Sequence, residues 1–314
     1  MESLDAVPDG VTAVAHRVVH GGRRFRDPVL IDDEVVRQLA AAVELAPLHN
    51  APALAAIEQA RAALPDLPHV AVFDSAFHGT IPPEAATYAL PARAREEWGI
   101  HRYGFHGLSV QWASELVRVP RLIVCHLGGG CSVTAVRDGR SVDTTMGFTP
   151  LEGVPMATRA GSVDPGALLY MLEHHLTREE LDRMLEHESG LLGLSGISGA
   201  VRELERSEAD GARLALSVFA YRVALAVGAM TTAVRGLDAL VFTAGIGEHS
   251  AVVRSAVCER LGHLGVALDA DANETAILDA TISAPASSVR VVVIRAREDL
   301  IAARTARQLL ERNT

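Results

Sequence analysis

The sequence predicts an α/β protein with a mixed sheet, and three observations predict it. Short β-branched runs end in Gly, Asp or His, longer stretches of helical periodicity separate them, and a hairpin signature stands mid-chain. In order, the strand-like runs are VTAVAHRVV (11–19), HVAVFDS (69–75), RLIVCHLGGG (121–130), LDALVFTAGIG (237–247) and VRVVVIR (289–295). The helical patterns are DDEVVRQLAAAVELA (32–46), ALAAIEQARAAL (53–64), GALLYMLEHHL (166–176), ARLALSVFAYRVALAVGAMTTAVRG (212–236) and REDLIAARTARQLL (297–310). The segment CSVTAVRDGRSVDTT reads as a hairpin turning at Asp138-Gly139, so antiparallel pairing joins the parallel α/β pattern. A chain of 314 residues is long enough for two cores. A junction fits just before Arg121: residues 1–120 form a first domain, 121–296 a second, and the C-terminal helix (297–314) returns to the first.

Hydrophobic residues at 49% and charged residues at 22% give an ordinary globular balance, which excludes a disordered or fibrous chain. The formal charge of −10 argues against a general nucleic-acid or membrane-surface role, since both favour basic faces. It leaves room for a local cationic pocket. Cys125, Cys131 and Cys258 are few, odd in number and show no CxxC spacing, which reads as a reduced, cytoplasmic chain without a zinc site. No run is read as long enough to span a membrane, and the acidic N-terminus lacks a signal-peptide layout.

Several short stretches could carry chemistry. HLGGGCSV (126–133) follows an apolar strand and enters the hairpin; three glycines suit either a tight turn or a backbone nest for phosphate. FTAGIGEHS (242–250) is a second strand–glycine–helix junction, where Gly245 and Gly247 permit close approach of a phosphate or ribose, or simply a sharp turn. Arg17 and Arg159 are candidate anion clamps or structural ion-pair partners. Asp74 ends an apolar strand, where carboxylates commonly face a cleft. His106 sits in a glycine-flanked turn, RYGFHGLS, as a structural or a catalytic imidazole. The Gly/Pro-rich stretch around 147–166, MGFTPLEGVPMATRAGSVDPG, is the longest non-periodic piece.

Taken in order, HRVVHGG, LAPLHN, FDSAFH, RYGFHG, HLGGGCSV, the 147–166 stretch, GISGAVREL, FTAGIGE and REDLIAAR resemble the acetate kinase (acetokinase) family of the sugar kinase–Hsp70–actin superfamily. The resemblance implies two ribonuclease-H-like domains around a cleft, a homodimer, and Mg²⁺-dependent phosphoryl transfer from ATP to a short-chain carboxylate. By that resemblance Arg17 would bind the acid carboxylate or the transferring phosphoryl, and Val19, Leu48, Phe105 and Pro150 would line the alkyl pocket. Asp74 would be the active-site carboxylate, and His106 and Arg159 would stabilise the transferring phosphoryl. His126, Leu127, Gly128, Gly129 and Gly130 would cradle the ATP phosphates. Ala200, Val201, Arg202, Gly245, Ile246, Gly247, Glu248 and His249 would surround the adenosine, and Glu298 would help hold Mg²⁺.

The chain also departs from the family's pattern. The family opens with a strand carrying N-x-G-S-S-S-x-K, and nothing in MESLDAVPDGVTA matches it, so the first domain is expected to be incomplete at its N-terminus. Gly129 stands where Asn is usual, Ala200-Val201 replace Asp-Phe, His249 replaces Asn, and Val110 replaces a His. These changes keep a second reading open, a catalytically impaired homologue acting as a nucleotide-binding or regulatory dimer.

Overall fold

The computed structural model describes residues 10–41, 43 and 47–313, with only the backbone described at 47–49 and 313. The expectation about the opening strand rests on residues 1–13, of which 1–9 lie outside the described ones. The described chain forms two sheets. The first has three strands in the order β1-β3-β2: β1 (Val14–Val18), β2 (Val29–Leu30) and β3 (His69–Phe73). The second has six in the order β6-β5-β4-β7-β9-β8: β4 (Arg121–Leu127), β5 (Cys131–Arg137), β6 (Arg140–Thr144), β7 (Ala239–Thr243), β8 (Ala280–Thr281) and β9 (Arg290–Val293).

Both sheets are mixed. β1 pairs with β3 in parallel, and β4, β7 and β9 are parallel neighbours; β2, β5, β6 and β8 pair antiparallel. The β5–β6 hairpin turns at Asp138 and Gly139 with φ of 51° and 77°, the left-handed pair that a two-residue turn of this hand requires. Strands β3, β4, β5 and β7 are buried along almost their whole length, because helices cover both faces of their sheets.

The long helix Asp210–Val234 presses Ala212, Ala215, Phe219, Val223 and Val227 onto one face of the six-stranded sheet. On the other face lie Val110 and Ala113 of the helix Gly107–Leu116, with Val117 just past its end. The three-stranded sheet packs the helices Asp33–Ala41 and Pro47–Ala63 on one face, through Val35, Leu39 and Ile57. Its other face takes Ile301, Ala302 and Ala306 of the C-terminal helix Glu298–Asn313, together with Leu108. The helix Gly107–Leu116 thus touches both cores and fixes one sheet against the other.

One expectation needs correction. The helix Asp210–Val234 is long and apolar enough by length and composition to cross a membrane. Its apolar stripe is explained within the fold, since one side is the centre of the larger core.

Candidate active site

β1 and β3 end side by side, and their register brings Arg17 opposite Val72, two residues before Asp74. Arg17 donates through Nε and Nη2 to the two Oδ atoms of Asp74, each at 2.7 Å, a bidentate fork. Its Nη1 donates to Glu298 Oε2 at 2.6 Å, at the start of the C-terminal helix. Burial opposes the Arg17 charge, but the Asp74 and Glu298 carboxylates outweigh it and raise its pKa. Burial pushes Glu298 up, and Arg17 pulls it back only in part. Glu298 Oε1 is buried without a hydrogen-bond partner.

His106 stands just before the helix Gly107–Leu116 with φ of 61°, a conformation rare for a side chain with a Cβ. The next residue has to be glycine: its N–H donates to the Asp74 carbonyl at 2.8 Å, and a Cβ there would lie 2.2 Å from that oxygen. This close approach couples His106 to Asp74. His106 Nδ1 meets Ser132 Oγ at 3.0 Å, and its ring stacks on His126 with centroids 3.9 Å apart. His126 Nδ1 meets Ser109 Oγ at 2.8 Å; burial, then the neighbouring His106, pushes its pKa well below the usual value.

Arg159 leaves the 147–166 stretch and pairs through Nε with Glu186 at 2.9 Å. Its Nη1 and His106 Nε2 converge over Gly130, at 3.6 and 3.2 Å from where a Cβ would stand. The Gly128–Gly130 loop is closed by the Gly128 N–H to the Gly130 carbonyl at 3.0 Å. Beside it, at the end of β7, Ala244 has φ of 64° and opens the short helix Ala244–His249. Left-handed backbone at two non-glycine residues flanking one cleft is strain of the kind that collects at functional sites.

A cleft of about 720 Å³ joins these groups. It is lined by Arg17, Val19, Asp74, Phe105, His106, His126, Gly128, Gly129, Gly130, Pro150, Arg159, Gly245, Glu248 and Glu298. A second cavity, about 1010 Å³, is lined by Ala200, Val201, Arg202, Gly245, Ile246 and His249, and shares Gly128, Gly129 and Gly245 with the first. The glycine loop and the β7–helix junction are therefore a common wall between two neighbouring spaces.

Not every residue singled out from the sequence reaches these spaces. Leu127 is fully buried in the larger core, because strand alternation turns it away from the cleft that His126 faces. Gly247 lines neither cavity; it packs on the backbone of Phe242, 3.3 Å from where its Cβ would be. Glu248 faces the first cleft rather than the second, and its Oε1 accepts from the N–H groups of Ala244 (3.0 Å) and Ala296 (2.8 Å). Its carboxylate thus ties the strand ends together. The side chain of Leu48 lies outside the described residues.

Sequence reading missed Ala53, Ala244 and Ala296 in the first space and Glu205 and Arg206 in the second. It also missed Ser109 and Ser132 behind the imidazoles. Alanines carry no chemical signature; Ser132, two residues after the glycine loop, was the readable one.

Among the described residues no cluster of three or more His, Cys, Asp or Glu could hold a metal ion. The set does fit a Mg²⁺ that arrives on phosphates, since such ions need only one or two protein carboxylates, and the unpartnered Glu298 Oε1 is a hard oxygen beside the cleft.

A family model described as the Acetokinase family matches residues 2–304. An acetate kinase of Nostoc punctiforme is 47% identical over 313 residues, covering 96% of this chain and 77% of the relative. One from a Synechococcus strain is 49% identical over 312 residues, with the same coverage. Among solved structures, a propionate kinase from Francisella tularensis superposes with a TM-score of 0.89 at 39% identity, covering 94% of this chain and 78% of that one. The acetate kinase of Porphyromonas gingivalis gives 0.88 at 36% identity, covering 96% and 78%. With the ordered motifs, the two sheets and the shared cleft all in agreement, this chain belongs to the acetokinase family.

Proposed function

We propose that this chain moves the terminal phosphoryl group of ATP onto a short-chain carboxylate, acetate or propionate, giving ADP and an acyl phosphate. One observation carries the reading: the cleft holding Arg17, Asp74, His106 and Arg159 shares its glycine wall with the second cavity. A nucleotide seated in the second cavity, with its phosphates on backbone N–H groups of that wall, presents its terminal phosphate to the ionic set. Relatives that carry the names acetate kinase and propionate kinase support the same reaction.

The roles follow from charge and position. The acid is already ionised at neutral pH, so its oxygen attacks phosphorus without a strong general base. Val19, Phe105 and Pro150, joined by Ala53, supply the apolar wall for its alkyl group. Arg17 meets its carboxylate, held in orientation by Asp74 and Glu298. Arg159 and His106 stabilise the charge on the transferring phosphoryl group, where preorganised donors contribute most. Glu298 would hold Mg²⁺ on its free oxygen; the ion supplies neutralisation of phosphate charge when bound.

A homodimer and a cytoplasmic setting belong to the same proposal. Exposed apolar side chains on two helices, Leu169 and Tyr170, and Leu214 and Tyr221, supply surface for a partner copy. Three free buried cysteines suit a reducing compartment.

The test traps acyl phosphate with hydroxylamine, using the purified chain, ATP, Mg²⁺ and acetate or propionate. Hydroxamate is expected, and Arg159→Ala is expected to abolish it. A folded protein that yields no hydroxamate with either acid would overturn the proposal.

A further inference from the structure

The apolar wall of the acid cleft is backed by a partly buried network that the mechanism above does not use. Its centre is the Phe148 peptide, two residues before Pro150, and both of its polar groups are held by side chains from distant parts of the chain. The Phe148 N–H donates to Tyr88 Oη at 2.9 Å, and its carbonyl lies 3.2 Å from His20 Nε2. The tautomer of His20 follows from its other nitrogen: Nδ1 accepts from the Gly22 N–H at 2.9 Å, so Nε2 carries the proton and donates to Phe148.

His20 is fully buried, and its contacts reach the segments that carry the pocket's apolar residues. It follows Val19 directly. Its backbone N–H donates to Asn50 Oδ1 (3.1 Å) and its carbonyl accepts from Asn50 Nδ2 (2.9 Å), which ties β1 to the helix that carries Ala53. Its ring packs on Tyr103 and Phe105, with centroids 4.5 and 5.3 Å away. On the other side, Tyr88 Oη donates to Glu152 Oε2, and Arg102 Nη2 donates to Glu152 Oε1 at 3.0 Å. Arg102 Nη1 also donates to the carbonyls of Thr144, Thr145 and Met146. The loop seats so closely that a Cβ on Gly147 would stand 2.0 Å from Tyr88 Oη.

We propose that His20 and Tyr88 are positioning residues that set acid chain-length selectivity, by pinning the Phe148 peptide and through it Pro150 against Val19 and Phe105. Neither contacts the acid. They fix how deep the apolar pocket is, and a small pocket discriminates between acids one methylene apart only as far as its walls hold still. This inference rests on the carboxylate kinase reading.

The experiment compares kcat/KM for acetate, propionate and butyrate, and KM for ATP, in the unsubstituted chain, Tyr88→Phe and His20→Gln. Tyr88→Phe keeps the ring and removes only the hydroxyl, so it carries the test if His20→Gln fails to fold. The expected result is a rise of about tenfold in the butyrate-to-acetate ratio, the size of one methylene's discrimination, with KM for ATP unchanged. Equal losses for all three acids, or an unchanged ratio, would overturn the inference and leave the kinase reading intact. An unsubstituted chain inactive on all three would instead overturn the kinase reading and this inference with it.

Discussion

Two pairs of parallel strands end at the same cleft and meet it with different chemistry. At the ends of β1 and β3 the work falls to side chains: Arg17 forked onto Asp74, with Glu298 as the third corner. At the ends of β4 and β7 it falls to main chain: Gly128–Gly130 after one strand, Ala244-Gly245 after the other. The difference teaches what each end can recognise. A carboxylate with a short alkyl tail needs a fixed guanidinium and an apolar wall, which only side chains provide. A polyphosphate has many oxygens and is met by backbone N–H groups, which require that side chains be absent.

The comparison can be broken most severely at the charged end. Asp74→Asn keeps the shape but leaves Arg17 without its bidentate partner in a site where Asp74 is 1% exposed. It is expected to lower kcat/KM for the acid by about 10³-fold, in the range seen when a preorganised charge contact is lost. A steady-state assay that finds less than a tenfold loss would mean that Arg17 is oriented by Glu298 alone.

The next effect is on stability, and two of the buried histidines behind it follow β1 and β3, alongside His126 of β4. Burial lowers both His20 and His78 to about 4, from an ordinary 6.5, and both are buried neutral. Between pH 6.5 and about 4 the unfolded chain binds the extra protons, so stability falls as pH drops through that window and is fully present above it. Each histidine contributes up to roughly 3 kcal/mol this way. Denaturant midpoints measured from pH 7 down to pH 4 should show a progressive loss, and a flat profile would contradict neutral burial.

The smallest expected effect probes the glycine end. A Cβ on Gly128 would meet Ala244 Cβ and the Gly130 carbonyl at 3.5 Å, both ordinary contacts, so Gly128→Ala should fold normally and place its methyl on the wall shared by the two cavities. KM for ATP is expected to rise about tenfold while KM for the acid stays put, since a methyl group keeps phosphate oxygens from close approach to backbone N–H groups. A change in the acid KM instead would erase the division between the two ends.

Much of this was legible from residues alone. Short β-branched runs and helical patterning located the longer strands and most of the longer helices, though not the two-residue β2 and β8, and Asp138-Gly139 announced its hairpin because few residue pairs accept two positive φ values. Arg17 stood out as a charge in an apolar run, and glycine clusters marked both backbone walls. Other side chains stand where spacing alone does not put them. Leu127 sits beside the glycine loop in sequence, yet strand alternation sends it into the core. Glu248 follows Gly247 among the residues expected around the nucleotide, yet its carboxylate is spent on the N–H groups of Ala244 and Ala296.

The amino-acid order by itself determined the α/β class, the hairpin, the family resemblance and the inventory of charged and glycine positions, because these depend on local propensity and spacing. Only the tertiary structure decided which of them meet. It put Glu298, 281 residues from Arg17 in sequence, within 2.6 Å of its guanidinium, and it set Tyr88 and His20 on opposite sides of one peptide. Contacts of that separation come from the packing of the helix Glu298–Asn313 and the 144–153 loop against the first sheet and its neighbours, and no local pattern encodes them.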